Sequence, residues 1–416
     1  MAKRNKQGKK SNQSKIAKPK PRKRIFFQGL NEIRALAALF VLFHHVELYK
    51  FRDKLPSLYD TFLKTFIGEL GKNGVYIFFV LSGFLITYLL LEEKRVKKKI
   101  DLKKFYIRRL LRIWPLYYLI IFISFFILPF MAGFVQPMQN ETTFYTRILV
   151  LKQDFWTPFL LFLVFLPNLA LKLKAPVTGA AQAWSVGVEE QFYLIWPNVV
   201  NLVKSKYLII PFVIIISLPY WAIPVQSVNP SLATNIRYFT DLVPIHIMGI
   251  GALGAYLLFH FAEKLLMLFR SPVLFIINSI ILVILLSSTY DKVLLGTVVA
   301  LQLIFIIQTN FKLNLRNKIL NKLGEISYGI YMFHPIAMYI GFSIFNSVIP
   351  LKSNIVAYNI AVYSTILGLT LFISYISFHY FESWFIKLKN KKFTVIPSGK
   401  KYVETTEIVQ DNIESN

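Results

Sequence analysis

Cysteine is absent from this chain of 416 residues, and charged residues are scarce. Without cysteine the protein has no disulfide, no thiol nucleophile and no thiolate metal ligand. Only 17% of the residues are charged and 55% are hydrophobic, whereas soluble domains carry about a quarter charged residues. The mean hydropathy is +0.51. This shortage of charge predicts an integral membrane protein and excludes an ordinary soluble domain.

Acidic residues are also few, because 21 Asp and Glu stand against 48 Lys and Arg. The resulting net charge of +27 lies mainly in the tails and in a few loops between apolar runs. In a membrane protein such charges set orientation, since cytoplasmic loops collect Lys and Arg. The distribution therefore argues against nucleic acid as a partner and favours membrane lipid. Residues 1–27 are predicted to be a disordered, basic cytoplasmic tail.

Apolar runs of about 20 residues, the length needed to cross a bilayer, recur along almost the whole chain. They predict an all-α integral membrane fold of about ten transmembrane helices in one domain over 28–385, followed by a cytoplasmic tail over 386–416. The predicted spans are 30–48, 73–91, 110–134, 184–203, 207–224, 238–261, 273–288, 291–309, 326–349 and 355–381.

A further apolar stretch, 155–171, contains Pro158 and Pro167, which suit a broken segment. If this stretch does not span, 35 of the 48 Lys and Arg fall on the cytoplasmic side, and both termini lie there too. If it spans, one of the basic loops 310–322 and 382–416 becomes external. The positive-inside rule favours the first arrangement. We therefore expect 155–171 to be re-entrant or to lie at the outer interface.

The first predicted span carries Arg34, His44 and His45 in an otherwise apolar helix. Arg34 and His45 are eleven residues apart, which is three turns plus about 20°, so they share one face with a rise of about 16 Å between them. His44 is rotated away from that face by about 80°. In the structural alternative, the side chain of Arg34 extends to the cytoplasmic interface and that of His45 extends to the outer interface. Two such groups on one stripe favour a functional site, because histidine can act as a general base near neutral pH.

Two more segments place small or cationic residues next to apolar runs. Ser82 and Gly83 allow a neighbouring helix or a thin ligand to approach closely, and helix packing alone accounts for them. Arg109 and Arg112 are three residues apart and share a helix face. Arginine forks fit phosphate groups, although a cluster at the cytoplasmic end of a span also binds lipid headgroups.

Carboxylates and a late histidine complete the polar residues of interest. Glu189 and Glu190 enter an apolar helix and point about 100° apart, so at most one of them faces a given site. Either is an interfacial carboxylate or a partner that orients a histidine or arginine across the bundle. His334 precedes Pro335 deep in an apolar run, where a kinked helix can line a cavity.

Together these segments resemble the acyltransferase-3 family of bacterial membrane proteins. Five motifs occur in order between residues 28 and 385. They are Arg, ten residues and His from Arg34 to His45, Phe-Phe-Val-Leu-Ser-Gly-Phe from Phe78 to Phe84, Arg-Ile-x-Pro-x-Tyr from Arg112 to Tyr117, Trp-Ser-x-x-x-Glu-Glu-Gln-Phe-Tyr from Trp184 to Tyr193, and Ile-Ser-Tyr-Gly-Ile-Tyr-x-x-His from Ile326 to His334.

The resemblance implies an enzyme that moves an acyl group, commonly acetyl, from acyl-coenzyme A to a hydroxyl of a cell-envelope carbohydrate. Acyl-coenzyme A would then be a donor substrate, and we expect no permanently bound cofactor and no metal site. The implied location is the bacterial inner membrane, crossed several times. The acceptor, the acyl chain and the oligomeric state stay open.

Under this hypothesis His45 is the general base for the acceptor hydroxyl or carries the acyl group itself. Arg34 and Glu189 complete the predicted catalytic set, with Glu189 orienting the imidazole. The anionic end of coenzyme A would lie at the three arginines, and its arm would pass Ser82 and Gly83. The predicted substrate-binding residues are Ser82, Gly83, Phe84, Arg109, Arg112, Tyr193 and His334.

Other classes of protein share parts of this pattern. A transporter or flippase of a lipid-linked sugar also has many spans and intramembrane charge, but needs no coenzyme A. A polysaccharide polymerase or glycosyltransferase usually keeps a large charged external loop, and the external loops here, including 135–183, are poor in carboxylates. Other membrane acyltransferases place their histidine late in the chain, which would single out His334.

Overall fold

The computed structural model describes residue 25 and residues 27–134, 142–308, 317–348 and 355–396. By their mutual contacts, Phe27–Val395 form one unit. The predicted basic tail over 1–27 lies almost entirely outside the described residues, and so do residues 397–416 of the predicted C-terminal tail.

The described unit is built from helices. In chain order they are α1 (Leu30–Arg52), α2 (Lys64–Lys97), α3 (Leu102–Phe122), α4 (Leu128–Phe134), α5 (Thr143–Gln153), α6 (Trp156–Leu163), α7 (Pro167–Leu173), α8 (Trp184–Leu202), α9 (Ile209–Ser217), α10 (Ala222–Val225), α11 (Pro230–Leu242), α12 (Ile245–Phe269), α13 (Pro272–Leu286), α14 (Lys292–Gln308), α15 (Lys318–Glu325), α16 (Ser327–Val348), α17 (Ile355–Ile376) and α18 (Ser383–Lys392). π-Helical stretches, Ile123–Ile127 and Ser377–Glu382, join α3 to α4 and α17 to α18.

The predicted all-helical membrane architecture is confirmed at the level of its elements, since helices occupy all ten predicted positions. Within the described ranges, five helical stretches are long and apolar enough to cross a membrane: Lys64–Lys97, Leu102–Phe134, Ser205–Val225, Ile245–Lys264 and Val356–Lys392. Helix α1 is not among them, because Arg34, His44, His45 and Glu47 lower its hydropathy. The count of about ten spans stays a prediction.

The segment 155–171 is broken into two short helices, α6 and α7, which pack against each other. The break falls at Val164–Leu166, where Phe165 has a φ of 59° and Pro167 starts the next helix. Helices of 8 and 7 residues are about 10–12 Å long. Neither can cross a hydrocarbon core of about 30 Å.

Helix α2 is the centre of the bundle and packs most extensively against α12 and α1. A Cβ placed on Gly83 would lie 2.0 Å from the carbonyl oxygen of Met248, and one on Gly251 would lie 2.0 Å from that of Val80. The two helices therefore cross with their backbones in contact. At Gly83 the helix-packing alternative is the one that the structure adopts.

The C-terminal end of α1 is held by a buried ion pair between Glu47 and Lys50, whose Oε1 and Nζ are 2.6 Å apart. Lys50 also donates to Asn359 at 2.7 Å, and Tyr363 donates to Glu47. Ser57, in the loop after α1, donates to Glu47 Oε2 at 2.8 Å. Both charges are fully paired, so this network fastens the loop and α17 to α1.

We predict that Gly83→Ala destabilises the protein, because the new methyl group has no room beside the backbone of α12. Overpacking of this kind costs about 1–3 kcal/mol. The measurement is the midpoint of thermal unfolding in detergent. Gly368→Ala on α17 is the matched control, since its Cβ would meet no atom within 4 Å. Equal midpoints for the two variants would contradict the close crossing.

Candidate active site

Two histidines from different helices meet inside the bundle. Nδ1 of His45 on α1 lies 3.1 Å from Nε2 of His334 on α16, and the ring centroids are 5.0 Å apart. We call these two residues the histidine pair. His334 is fully buried, whereas the side chain of His45 is only partly covered. The sequence singled out both residues but did not predict their contact.

The hydrogen-bond partners assign the protons of the histidine pair. Nδ1 of His334 is 2.7 Å from the carbonyl oxygen of Tyr331, and Nδ1 of His45 is 2.9 Å from that of Val41. Carbonyl oxygens only accept, so both Nδ1 atoms carry hydrogen. In the neutral rings the single hydrogen on Nδ1 of His45 is shared between the carbonyl oxygen of Val41 and Nε2 of His334. Nε2 of His45 then has no hydrogen and no partner among the described residues, which leaves it as a bare acceptor. This second nitrogen is free to take a proton.

The neighbouring His44 has a separate environment. Its Nδ1 is 2.8 Å from the carbonyl oxygen of Ile67 and 3.1 Å from the hydroxyl of Tyr59. Its ring occupies the space that a side chain at Gly71 would need, since a Cβ there would lie 2.3 Å from the ring. His44 thus packs α1 against α2. The predicted rotation of His44 away from His45 agrees with these different partners.

Hydroxyl groups border the histidine pair on the side of α8. The hydroxyls of Tyr331 and Ser185 are 2.7 Å apart, and Tyr331 donates to the carbonyl oxygen of Gln182 at 3.0 Å. Gln182 in turn donates to the carbonyl oxygen of Met332 at 2.7 Å. These bonds fix the start of α8 against the turn of α16 that carries His334.

The carboxylate of Glu189 faces α2 and accepts two hydrogen bonds. Ser82 donates to Oε1 and Tyr193 donates to Oε2, each at 3.0 Å. Its predicted role of orienting the imidazole of His45 does not match this geometry, because both oxygens are engaged elsewhere and His334 is the partner of His45. Glu190 points toward α3 and accepts from Trp114 at 3.2 Å.

The two residues after Ser82 do not face Glu189 and pack against other parts of the protein. Gly83 lies against the backbone of α12. Phe84 is fully buried and packs edge-on against Phe27, with centroids 5.8 Å apart. Protein atoms therefore occupy the space beside Gly83 and Phe84, where the sequence predicted substrate contacts.

Four cationic side chains gather around Arg34, which lies about 16 Å along α1 from His45. Arg109 and Arg112 of α3 lie within electrostatic range of Arg34 and of Lys389 on α18. We call these four residues the cation cluster. No carboxylate within the described ranges lies within 4 Å of any of them. Buried Nε of Arg109 has no hydrogen-bond partner there either. The cluster has the charge to bind an anion.

The adjacent Arg108 has a structural role instead. It pairs with the buried carboxylate of Glu93 at 3.1 Å and donates to the carbonyl oxygen of Phe393 at 3.2 Å. These contacts dock the chain after α18 on α3, so the part of the predicted C-terminal tail up to Phe393 packs on the bundle. The sequence analysis singled out Arg109 with Arg112 and assigned no role to Arg108.

The sequence analysis did not name three residues of this region, Ser185, Tyr331 and Lys389, as site residues. Helical spacing could have identified Ser185 and Tyr331. Ser185, Glu189 and Tyr193 recur at intervals of four on α8, and Tyr331 precedes His334 by three, so each set shares a helix face. Lys389 had no comparable signal, because only tertiary packing brings α18 to α3.

A sequence model of the acyltransferase-3 family, described as an acyltransferase domain, matches residues 27–379. The chain belongs to this family. The predicted family and enzyme class, an acyltransferase, are confirmed. Arg34, His45, Glu189 and His334 all fall inside the matched range. Within the described ranges, no group of three or more metal-ligating side chains is arranged to hold a metal ion.

Curated relatives are named O-acetyltransferases. The chain is 26% identical over 183 residues to O-acetyltransferase OatA of Staphylococcus aureus strain NCTC 8325, covering 44% of this chain and 26% of the relative. It is 30% identical over 178 residues to the peptidoglycan O-acetyltransferase OatA of Listeria monocytogenes, covering 42% and 24%. The chain thus spans about a quarter of the length of the curated relatives it matches. No solved structure matches it significantly.

We predict that two adjacent arginines differ in their effect on stability. Arg108→Ala leaves the Glu93 carboxylate buried without its cation, which costs about 3–5 kcal/mol. Arg109→Ala removes a cation that has Glu190 within electrostatic range but forms no ion pair within 4 Å in the described chain, so stability should change by less than about 1 kcal/mol. Thermal unfolding in detergent measures both. A larger loss of stability in Arg109→Ala than in Arg108→Ala would show that Arg109, and not Arg108, has the structural role.

Proposed function

We propose that this protein is a membrane O-acyltransferase that moves an acyl group, acetyl in the first instance, from acyl-coenzyme A to a hydroxyl of a cell-envelope carbohydrate. The observation that carries the proposal is the histidine pair, which leaves Nε2 of His45 as a bare acceptor within an acyltransferase family domain. The names of the relatives support acetyl as the group and peptidoglycan or a similar glycan as the acceptor.

Chemistry at His45 begins with the acceptor hydroxyl, whose proton passes to Nε2 as the oxygen attacks the thioester carbonyl. The carbon–sulfur bond then breaks, and the coenzyme A thiolate takes the proton from His45. In the two-step alternative, Nε2 attacks the thioester carbonyl and the coenzyme A thiolate leaves. The acceptor hydroxyl then attacks the acyl-imidazolium, its proton passes to the thiolate, and His45 is released. His334 is a positioning residue in either case. By accepting from Nδ1 of His45 it maintains the tautomer with the bare Nε2.

The cation cluster would hold the phosphates of the donor. Arginine and lysine side chains form strong, charge-assisted hydrogen bonds to phosphate, and these cations have no carboxylate within 4 Å in the described chain. Arg34 and His45 are separated by a rise of about 16 Å on one face of α1. The extended arm between the phosphates and the thioester would cover that interval, passing the hydroxyls of Ser82, Tyr193 and Tyr331.

The proposed location is the bacterial inner membrane, with both termini in the cytoplasm. The cation cluster then lies toward the cytoplasmic side, where acyl-coenzyme A is made, and the C-terminal end of α1 lies toward the envelope. The basic loops support this orientation.

The experiment that tests the function is acyl transfer from acetyl-coenzyme A by protein reconstituted in nanodiscs. We predict that His45→Ala lowers the rate of transfer by about 10²–10⁴, as expected for loss of a general base. His44→Ala is the control on the same helix and should retain most of the activity, because the side-chain bonds of His44 in the described chain go to Ile67 and Tyr59. Undiminished transfer in His45→Ala would refute the mechanism. If wild type neither binds nor consumes the donor, a transporter of lipid-linked sugar becomes the better hypothesis.

We predict that Arg109→Ala weakens coenzyme A binding about tenfold or more, since a charge-assisted contact to phosphate contributes about 1.5–3 kcal/mol. Isothermal titration of the solubilised protein with coenzyme A measures the Kd. Lys103→Ala, an exposed cation on α3 outside the cation cluster, is the control and should leave the Kd unchanged. An unchanged Kd in Arg109→Ala would indicate that Arg109 contacts lipid instead.

A further inference from the structure

A second polar region lies at the C-terminal end of α1, away from the cation cluster. A cavity of about 530 Å³ opens there between the turn after α1 and one face of α5. Its polar lining includes three cations, Arg52, Lys54 and Arg147, and three threonines, Thr142, Thr143 and Thr146. We call it the cationic cavity. No residue of the histidine pair or of the cation cluster lines it.

The cations of the cationic cavity have no ion-pair partner among the described residues. No carboxylate within the described ranges lies within 4 Å of Arg52, Lys54 or Arg147. Arg147 is positioned by Tyr49, to whose hydroxyl it donates and whose ring centroid lies 5.2 Å from its guanidinium carbon. Three cations against the single carboxylate of Asp53 favour a ligand that carries negative charge.

Asp53 adds an acceptor that is suited to a hydroxyl group. Its Oδ1 accepts from the amide and the hydroxyl of Thr143, at 2.9 and 2.5 Å. Its buried Oδ2 has no hydrogen-bond partner among the described residues. A buried carboxylate oxygen without a donor is costly. A ligand hydroxyl would satisfy it once the side chain of Asp53 turns toward the cavity, because Oδ2 is closed to solvent in this structure. Threonine hydroxyls both donate and accept, so the lining suits a polyhydroxylated anion.

The cavity is placed to deliver such a ligand to His45. Arg52 follows His45 by seven residues, which is two turns less about 20°, so both share one face of α1 about 10 Å apart along the axis. Arg52 lies within electrostatic range of both His44 and His45. This rise of about 10 Å is within the length of a molecule of a few sugar units.

We propose that the cationic cavity is the acceptor site and that it selects an acidic glycan. A carboxylate or phosphate of the glycan binds Arg52, Lys54 and Arg147, a hydroxyl donates to Asp53, and the hydroxyl to be acylated is directed to Nε2 of His45. This inference rests on the proposed function and adds to it the charge class of the acceptor.

The test uses the full chain in nanodiscs with acetyl-coenzyme A and three acceptors on one oligosaccharide backbone. One acceptor carries carboxylates, one has them converted to amides, and one carries phosphates. We expect KM for at least one charged acceptor to be about tenfold or more below KM for the amide. Arg147→Gln and Arg52→Gln should each raise KM for that charged acceptor about tenfold and leave KM for the amide and for acetyl-coenzyme A unchanged.

The controls separate this proposal from the function on which it rests. Lys152→Gln makes the same charge change on α5 outside the cavity and should alter no KM. Arg52 is exposed and makes no hydrogen bond in the described chain, so its variant keeps the test valid if Arg147→Gln fails to fold. If wild type prefers the carboxylate or the phosphate acceptor over the amide and the arginine variants lose that preference, the acceptor site is supported and the anion is identified. Equal KM for charged and amide acceptors overturns the site alone, whereas no transfer to any acceptor overturns the proposed function as well.

Discussion

Where α1 packs against α16, two imidazoles lie 3.1 Å apart, and the hydrogen bonds around them decide which nitrogen is free. Each ring donates from Nδ1 to a backbone carbonyl of its own helix, so the helical geometry of α1 and α16 sets both tautomers. Inside a bundle there is little water to replace a missing partner. The bare nitrogen of His45 therefore depends on the packing of two helices whose histidines are almost 290 residues apart in the chain.

Helix α1 connects three polar regions that the proposed reaction needs. Arg34 belongs to the cation cluster, His45 to the histidine pair and Arg52 to the cationic cavity, and the spacing of eleven and seven residues keeps all three on one stripe. The buried pair of Glu47 and Lys50 fixes the end of this helix. Donor and acceptor would thus approach His45 from opposite ends of a single rigid element, which restrains the distance between the reacting groups.

Polar residues in an apolar background were the informative part of the sequence. The stripe of Arg34 and His45, the ten helical positions and the family motifs could be predicted, because helical periodicity relates residues that are near in sequence. The broken segment 155–171 followed from its prolines and from the distribution of basic loops. Local geometry also separated His44 from His45 and Glu189 from Glu190. Contacts between helices carried no such signal, so the sequence did not show that Glu189 accepts from Ser82.

The sequence alone determined the membrane class, the family and the residues that share one face of a helix, since each depends on hydropathy or on helical spacing. Only the tertiary structure decided that His334 is the partner of His45 and that Gly83 packs on α12 instead of lining a passage. It also decided that Arg108 is held by Glu93, whereas Arg109 forms no ion pair with the part of the chain that the structure describes. These outcomes depend on which distant helices touch and in what rotation. Packing of whole helical faces sets that choice, and no short stretch of sequence contains it.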